Sequence, residues 1–424
     1  MNIHRVVVTG LGAVSGTGLN VESNWHSLLA GISGVKRVSE SDYPDEVETI
    51  PFPVTILGKP KNFLLEEELL SARESGRYDL FIHYALKAAQ EALAHGELLD
   101  LNKSPYERSR MGVILGVGMG GFPFIEKQYR ELLKKSRPKT NPFFITSVIP
   151  NMAPGLISMR FGLEGANFAV SSACASSGHA ILNAFQLIQL GQQDVILAGG
   201  SEAVFTKLTT SGFATIKALS TRDVDPEQAS CPFDRDRDGF VMGEGSGILL
   251  LENRESAIKR GAKILAEIVS VGLSSDAYHV TAPHPDGKGA INSMKQALEI
   301  AKIPPEEVDY INAHGTSTPI GDKIESQAIK TVFGKHAYEL NISSTKSMTG
   351  HLLGAAAGLE SVICVKSLLT QSIAPTINLK NPDPECDLNY TPNTMAKKSI
   401  KYAMNNSFGF GGTNTSILFK SADA

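Results

Sequence analysis

The order of elements predicts an α/β protein with largely buried sheets, and three observations carry that prediction. Short apolar and β-branched runs alternate with longer segments whose apolar residues recur at helical spacing. Glycines follow the strand-like runs, where tight exits need them. The same alternation restarts after residue 255.

Arg5–Thr9 opens the chain as a strand, and Tyr78–Leu93 follows as a helix. Gly112–Gly116 and Asn167–Ser171 read as strands, the second a buried one. In Ala175–Leu190, Ile181, Leu182, Phe185, Leu187 and Ile188 recur at helical spacing, and Val195–Gly199 is the next strand. The second round runs through Lys263–Val271, Ala290–Ala301, Val308–Ala313, Pro319–Phe333, Asn341–Ser343 and Gly350–Leu369. A break near residues 255–262 divides the chain into halves, 1–255 and 256–424. Ser39–Glu68, charged and Pro-containing, reads as a surface excursion, and Arg222–Phe240 as a long ordered loop.

At 424 residues, 42% hydrophobic and 20% charged, the chain has the make-up of a soluble globular protein able to bury a large core. A net charge of −4 supplies no general attraction to nucleic acid or to an anionic membrane. Four cysteines (174, 231, 364, 386) without CxxC spacing fit a reducing compartment. The amino-terminal residues enter a strand at once, without a signal-peptide pattern, and no apolar run reads as long enough to span a bilayer. The expected location is cytoplasmic.

Two glycine-rich turns resemble phosphate cradles. Val8-Thr-Gly-Leu-Gly-Ala-Val-Ser-Gly16 puts its third glycine out of register for a dinucleotide fingerprint, with no acidic strand end about 20 residues on. Gly116-Val-Gly-Met-Gly-Gly121 lacks the Lys-Ser/Thr of a phosphate loop. Both read better as tight strand exits.

The candidate nucleophile is Cys174, in Phe168-Ala-Val-Ser-Ser-Ala-Cys-Ala-Ser-Ser-Gly178. It sits where strand becomes helix, where unpaired N–H groups and the helix dipole favour a thiolate. Ala173, Ala175, Ser176 and Gly178 leave room for a substrate carbonyl. A buried structural cysteine is the plainer alternative. Three more segments look like active-site loops: Asn312-Ala-His-Gly-Thr-Ser-Thr318, Ser343-Ser-Thr-Lys-Ser-Met-Thr-Gly-His351 and Asn405-Asn-Ser-Phe-Gly-Phe-Gly-Gly-Thr-Asn414, the last a glycine turn. Together they allow one chemistry: a thiol takes an acyl group from a thioester, turn N–H groups hold the oxyanion, and two neutral imidazoles steady an enolate formed as carbon dioxide leaves. Residue type alone also allows a metal site at Cys174, His314 and His351.

These segments together resemble the elongating β-ketoacyl-acyl carrier protein synthases of the type II system. The likeness runs from Val6-Val-Val-Thr-Gly-Leu-Gly12 to Gly409-Phe-Gly-Gly-Thr-Asn414, through Pro232-Phe-Asp-Arg-Asp-Arg-Asp-Gly239, Ser274-Ser-Asp-Ala-Tyr-His279, His314-Gly-Thr-Ser-Thr318 and Lys346-Ser-Met-Thr-Gly-His351. It implies a thiolase-like fold, two similar α/β halves stacked as a five-layer αβαβα sandwich, in a homodimer. The first half would carry Cys174, and the second His314, Lys346 and His351.

By the same resemblance, Cys174 is the acylated nucleophile and His314 and His351 serve malonyl decarboxylation and condensation. Lys346 matches an active-site lysine, with Glu360 and Asp322 in support. The N–H groups of Cys174 and Phe410 form the oxyanion hole, and the Phe410 side chain is a gate. Thr316 and Thr318 contact pantetheine, and Met119, Phe144 and Phe213 line the acyl pocket. Arg73, Arg77, Arg137, Lys139 and Lys217 fall in the carrier-docking segments. No cofactor or metal is implied, because phosphopantetheine arrives on the acyl carrier protein; the partners are acyl and malonyl thioesters, with no nucleic acid and no membrane insertion. A degradative thiolase would need a second catalytic cysteine, and Cys364 and Cys386 lie in an apolar helix and a Pro-rich segment. A polyketide ketosynthase shares most motifs, whereas a non-catalytic partner subunit would not need Cys174, His314 and His351 together. Two departures stand out: Ser177 occupies the usual glycine position, and Gly354-Ala-Ala-Ala-Gly358 replaces Gly-Ala-Ala-Gly.

Overall fold

The computed structural model describes residues 3–38, 51–134 and 139–423. Within them, ten strands form one mixed sheet whose order repeats. The first five are β1 (Val6–Val14), β2 (Met111–Gly116), β3 (Asn167–Val170), β4 (Val195–Glu202) and β5 (Gly245–Asn253). The second five are β6 (Ala266–Ser275), β7 (Tyr310–Asn312), β8 (Asn341–Ser343), β9 (Tyr402–Gly409) and β10 (Thr413–Ser421). The spatial order is β8-β7-β9-β10-β6-β1-β5-β4-β2-β3. Each half therefore has the same arrangement, three parallel strands at its outer edge and two antiparallel ones inside. The halves meet where β1 and β6 pair antiparallel over Val6–Ile268, Val7–Glu267 and Val8–Ala266.

Helices α1 (Leu80–His95) and α2 (Met152–Phe161) cover the outer face of the first half-sheet. Helix α3 (Ser176–Gln189) follows β3, and α4 (Lys207–Thr215) follows β4. Helices α5 (Lys288–Ala301) and α6 (Gly321–Phe333) cover the outer face of the second half-sheet. Between the half-sheets lie α3 and α7 (Ala356–Thr370). That makes five layers, as the resemblance implies. The strand pleat explains how one sheet serves two cores: Val113 and Leu115 join the outer cluster while Ile114 joins the central one. Burying apolar side chains on both faces is the main stabilising term here.

Several expectations need correction. Strand β3 is not buried: it closes one end of the sheet, and its residues are half-buried or exposed because nothing within the described chain pairs with its outer edge. Strand β5 was not singled out, because its Gly-Ile-Leu-Leu-Leu run is buried on both faces and shows no period. The expected glycine turn near residue 410 is present, as the tip of a β9–β10 hairpin. Residues 39–50 lie outside the described residues; Phe52, Ile56 and Leu57 are buried and belong to the interior, whereas residues 61–68 are mostly exposed, so only that end is a surface excursion. One segment, Leu353–Thr370, is long and apolar enough to cross a membrane by length and composition. It is 89% buried, because α7 is the central helix packed between two half-sheets.

The central helices lie so close to the sheet that glycine is required under them. A Cβ on Gly116 of β2 would collide with the backbone of Ser176 and Ser177, and one on Gly247 of β5 with that of Gly358 and Leu359. Overpacking a filled interior costs roughly 1–3 kcal/mol. Gly247→Ala should therefore lower the unfolding free energy by that amount, read as a lower denaturant midpoint at unchanged slope; an unchanged midpoint would show that α7 lifts from β5 without strain.

Candidate active site

Cys174 lies in the tight passage from β3 to α3. Ala175 N–H donates to Ser172 O (3.1 Å) and Ser176 N–H to Ala173 O (3.2 Å). The passage forces Ala173 to φ +49°, a left-handed conformation uncommon for alanine and found where a structure holds a residue under strain. Among the described residues no side chain caps α3; its first N–H, that of Ser176, is taken up by the turn itself.

The second half brings its groups to the same place. The His351 Nε2 is 3.1 Å from the Cys174 Sγ. The His351 backbone is held from both sides, donating to Val241 O (2.7 Å) and accepting from Gly243 N–H (2.9 Å). His314 stands edge-to-face with His351, ring centroids 5.4 Å apart. Its loop is fixed by the buried Glu325 of α6, which accepts N–H from His314 (2.8 Å) and Gly315 (2.7 Å). Asp322 accepts N–H from Ser317 (3.1 Å) and Phe233 (2.8 Å) and faces Arg237 at 3.6 Å. Lys346, 1% exposed, forms an ion pair with the buried Glu360 of α7.

Burial and the Lys346 charge decide the protonation states. Burial pushes the Cys174 thiol up to about 11, and the Lys346 ammonium together with the N–H groups of Phe410 and Cys174 pulls against it. The expected resting thiolate is thus corrected to a thiol, since desolvation outweighs those stabilising groups. Burial, reinforced by Lys346, holds the His314 and His351 imidazoles well below their ordinary range. Both are neutral near pH 7, and each Nδ1 is buried with no hydrogen-bond partner among the described residues.

A cavity of about 730 Å³ opens onto this group. Met119, Phe213, Thr316, Thr318 and Phe410 all line it, and Thr316 Oγ1 lies 3.1 Å from Thr318 Oγ1. Exposed Ile216, Lys217 and Ile320 mark its rim. Phe144 does not line it; its short helix (Phe144–Val148) lies apart from the cavity wall. Arg73 is exposed on a short helix, and Arg77 stacks over the Phe143 ring at 4.4 Å. Neither lines the cavity, Lys139 is exposed outside it, and Arg137 lies outside the described residues. The two sequence departures meet: Gly358 N–H donates to the Ser177 Oγ (2.9 Å), joining the first turns of α3 and α7.

Besides Glu325, sequence reasoning missed two phenylalanines and two glutamates. Phe408 packs against His314 and Phe240 against His351. Glu202, at the end of β4, gathers backbone N–H groups of the Gly116–Gly121 turn, so that turn cradles the protein's own carboxylate. Glu91 does the same for Ala13 and Val21 in the first glycine-rich segment. Donor atoms of Cys174, His314 and His351 lie within 4.8 Å of one another, a donor set that suits zinc. The nearby Lys346 ammonium works against a cation there.

Residues 4–257 match the β-ketoacyl synthase N-terminal domain, and residues 265–380 the β-ketoacyl synthase C-terminal domain. A 3-oxoacyl-[acyl-carrier-protein] synthase 2 of Staphylococcus aureus (strain COL) is 44% identical over 420 residues, 99% of each chain. One from Synechocystis sp. is 45% identical over 418 residues, 98% of each. A β-ketoacyl synthase structure from Burkholderia phymatum aligns with a TM-score of 0.89 at 33% identity, covering 99% of this chain and 100% of that one. A type II polyketide ketosynthase, solved in complex with its acyl carrier protein, aligns equally well at 34% identity, covering 99% and 100%. Fold and likeness make this a thiolase-fold acyltransferase. The chain belongs to the β-ketoacyl synthase family.

Only Cys174 among the four cysteines opens on the cavity. Iodoacetamide should label it first, with a rate that rises about ten-fold per pH unit from 7 to 9, as the thiolate fraction does below the thiol pKa. A plateau below pH 8 would reveal a standing thiolate–imidazolium pair instead.

Proposed function

We propose that the protein elongates fatty acyl chains by two carbons, condensing a Cys174-bound acyl group with malonyl-acyl carrier protein. The observation that carries this reading is the 3.1 Å approach of the His351 Nε2 to the Cys174 Sγ, beside a second neutral imidazole. In the first half-reaction the Cys174 sulfur attacks the acyl thioester and the carrier thiol leaves with a proton. The N–H groups of Cys174 and Phe410 take the oxyanion charge, a role that typically contributes roughly 10²–10³ in rate per donor. In the second, malonyl thioester loses carbon dioxide, and the enolate oxygen is held by His314 and His351. The enolate carbon bonds to the acyl carbonyl, the C–S bond breaks, and Cys174 departs as a thiolate that takes a proton from solvent.

Neutral imidazoles suit this task because they donate N–H without first giving up a charge. Burial keeps them neutral, Lys346, held by Glu360, reinforces it, and Asp322 fixes the His314 loop from its far side. Thr316 and Thr318 receive the pantetheine arm, Phe410 gates entry, and Met119 and Phe213 line the acyl pocket. The carrier, acidic by its chemistry, docks near the rim on Lys217, with Arg73, Arg77, Arg137 and Lys139 as further contacts. The half-exposed outer edge of β3, unpaired among the described residues and beside exposed Met159 of α2, supports a homodimer formed along that edge. Four free, buried cysteines fit a reducing, cytoplasmic setting, and the chain needs no bound cofactor of its own.

Cys174→Ala should abolish acyl transfer and condensation while malonyl decarboxylation persists on the histidines, followed as carbon dioxide release and product mass. Condensation at the wild-type rate would sink the covalent route. Lys217→Glu should raise KM for carrier-bound substrate and leave kcat on small pantetheine thioesters unchanged; an unaltered KM at moderate ionic strength removes Lys217 from the docking surface.

A further inference from the structure

We propose that Glu202 is the positioning residue that holds the acyl-pocket wall in register with the condensing histidines and thereby sets the acyl length the enzyme accepts. The inference rests on reading the Met119 side of the cavity as the acyl pocket. Glu202 is fully buried and lines the cavity. Its carboxylate accepts N–H from Gly118 (2.8 Å), Met119 (3.1 Å) and Gly120 (3.3 Å), in the turn after β2. It also accepts N–H from Gly354 (3.1 Å), in the turn between His351 and α7. One side chain thus ties together a pocket wall from the first half of the chain and the end of the imidazole loop from the second.

The surroundings are shaped for a carboxylate. A Cβ on either Gly118 or Gly354 would crowd the Glu202 Oε2, and one on Gly354 would also collide with the Gly118 N–H. Four convergent N–H groups need an acceptor with several lone pairs; burial pushes the Glu202 carboxyl up to about 7, these same N–H groups pull it back, and the ionised form offers about four lone pairs. An amide in its place would turn one NH₂ group onto donors that it cannot satisfy, leaving buried N–H groups unpaired. The 118–120 turn would then move, carrying Met119 with it. His351 itself would stay, because its backbone is held independently by Val241 and Gly243.

The test uses the full-length protein and pantetheine thioesters of graded acyl length. Acylation of Cys174 is read by mass spectrometry and malonyl decarboxylation by carbon dioxide release. In Glu202→Gln the ratio of long- to short-chain acylation should change by about ten-fold, the discrimination that small changes in an apolar pocket produce. Decarboxylation should stay within about two-fold of wild type, and Glu202→Asp should restore part of the wild-type length profile. An equal loss at every chain length and in decarboxylation would reduce Glu202 to a general structural role and overturn the proposal. If Glu202→Gln does not fold, Met119→Ala, which trims the same wall, should shift the length profile; an unchanged profile overturns the proposal. Failure of the wild type to acylate at Cys174 would instead overturn the underlying reading of the pocket.

Discussion

The site depends on a positive charge that barely reaches water. The Lys346 ammonium is 1% exposed and paired with Glu360 in the layer between the two half-sheets. Its field reaches each reacting group: it pulls the Cys174 thiol down against burial and adds to the burial that keeps both imidazoles neutral. A buried ion pair is an expensive device, and removing one partner usually costs about 3–5 kcal/mol. The central layer makes it tolerable, because Glu360 is fixed on α7 and Lys346 on the turn just before it. The pair therefore acts as a fixed electrostatic setting, and the thiol and imidazoles titrate around it.

That setting needs the internal repeat. Each half-sheet sends one helix into the middle layer, α3 after β3 and α7 after β8. The first supplies the nucleophile at its start, and the segment before the second supplies Lys346 and His351. The two first turns meet through the Ser177 hydroxyl and the Gly358 N–H. Such contact is possible because Gly116 and Gly247 remove side chains where helix backbone rests on strand. The glycine displacements seen in the sequence thus belong to one joint rather than two. A serine on one helix accepts the hydrogen bond that the shifted glycine on the other donates, so the reaction machinery on either side is left in place.

The legibility of the sequence divides along a physical line. Local signals were readable: the strand-to-helix setting of Cys174, the loops of His314 and His351, and the alternation that marks the halves. Strand β5 left no signal because a strand buried on both faces has no period. The edge position of β3 was invisible because its composition matches that of an interior strand, while exposure depends on which strand lies beside it. The charge state of Cys174 was misjudged for a related reason. A helix N-terminus can be recognised locally, but the depth of burial that opposes it belongs to the assembled layers.

The buried carboxylates show the limit most sharply. Glu91, Glu202 and Glu325 each gather backbone N–H groups from segments 10 to more than 150 residues away in the chain. A lone glutamate at a strand end or on a helix carries no motif, so nothing in its neighbours marks it as an acceptor. The glycines opposite it are visible, and they were weighed as phosphate cradles because free N–H groups in a glycine turn suit any anion. The anion they hold belongs to the protein. In a buried site an internal carboxylate has one advantage over a bound phosphate: it is covalently fixed to the strand that must be aligned. A glycine-rich turn that fails the nucleotide fingerprint is therefore a reason to look for a buried acidic residue at the end of a neighbouring strand, as Glu202 of β4 is to the turn after β2.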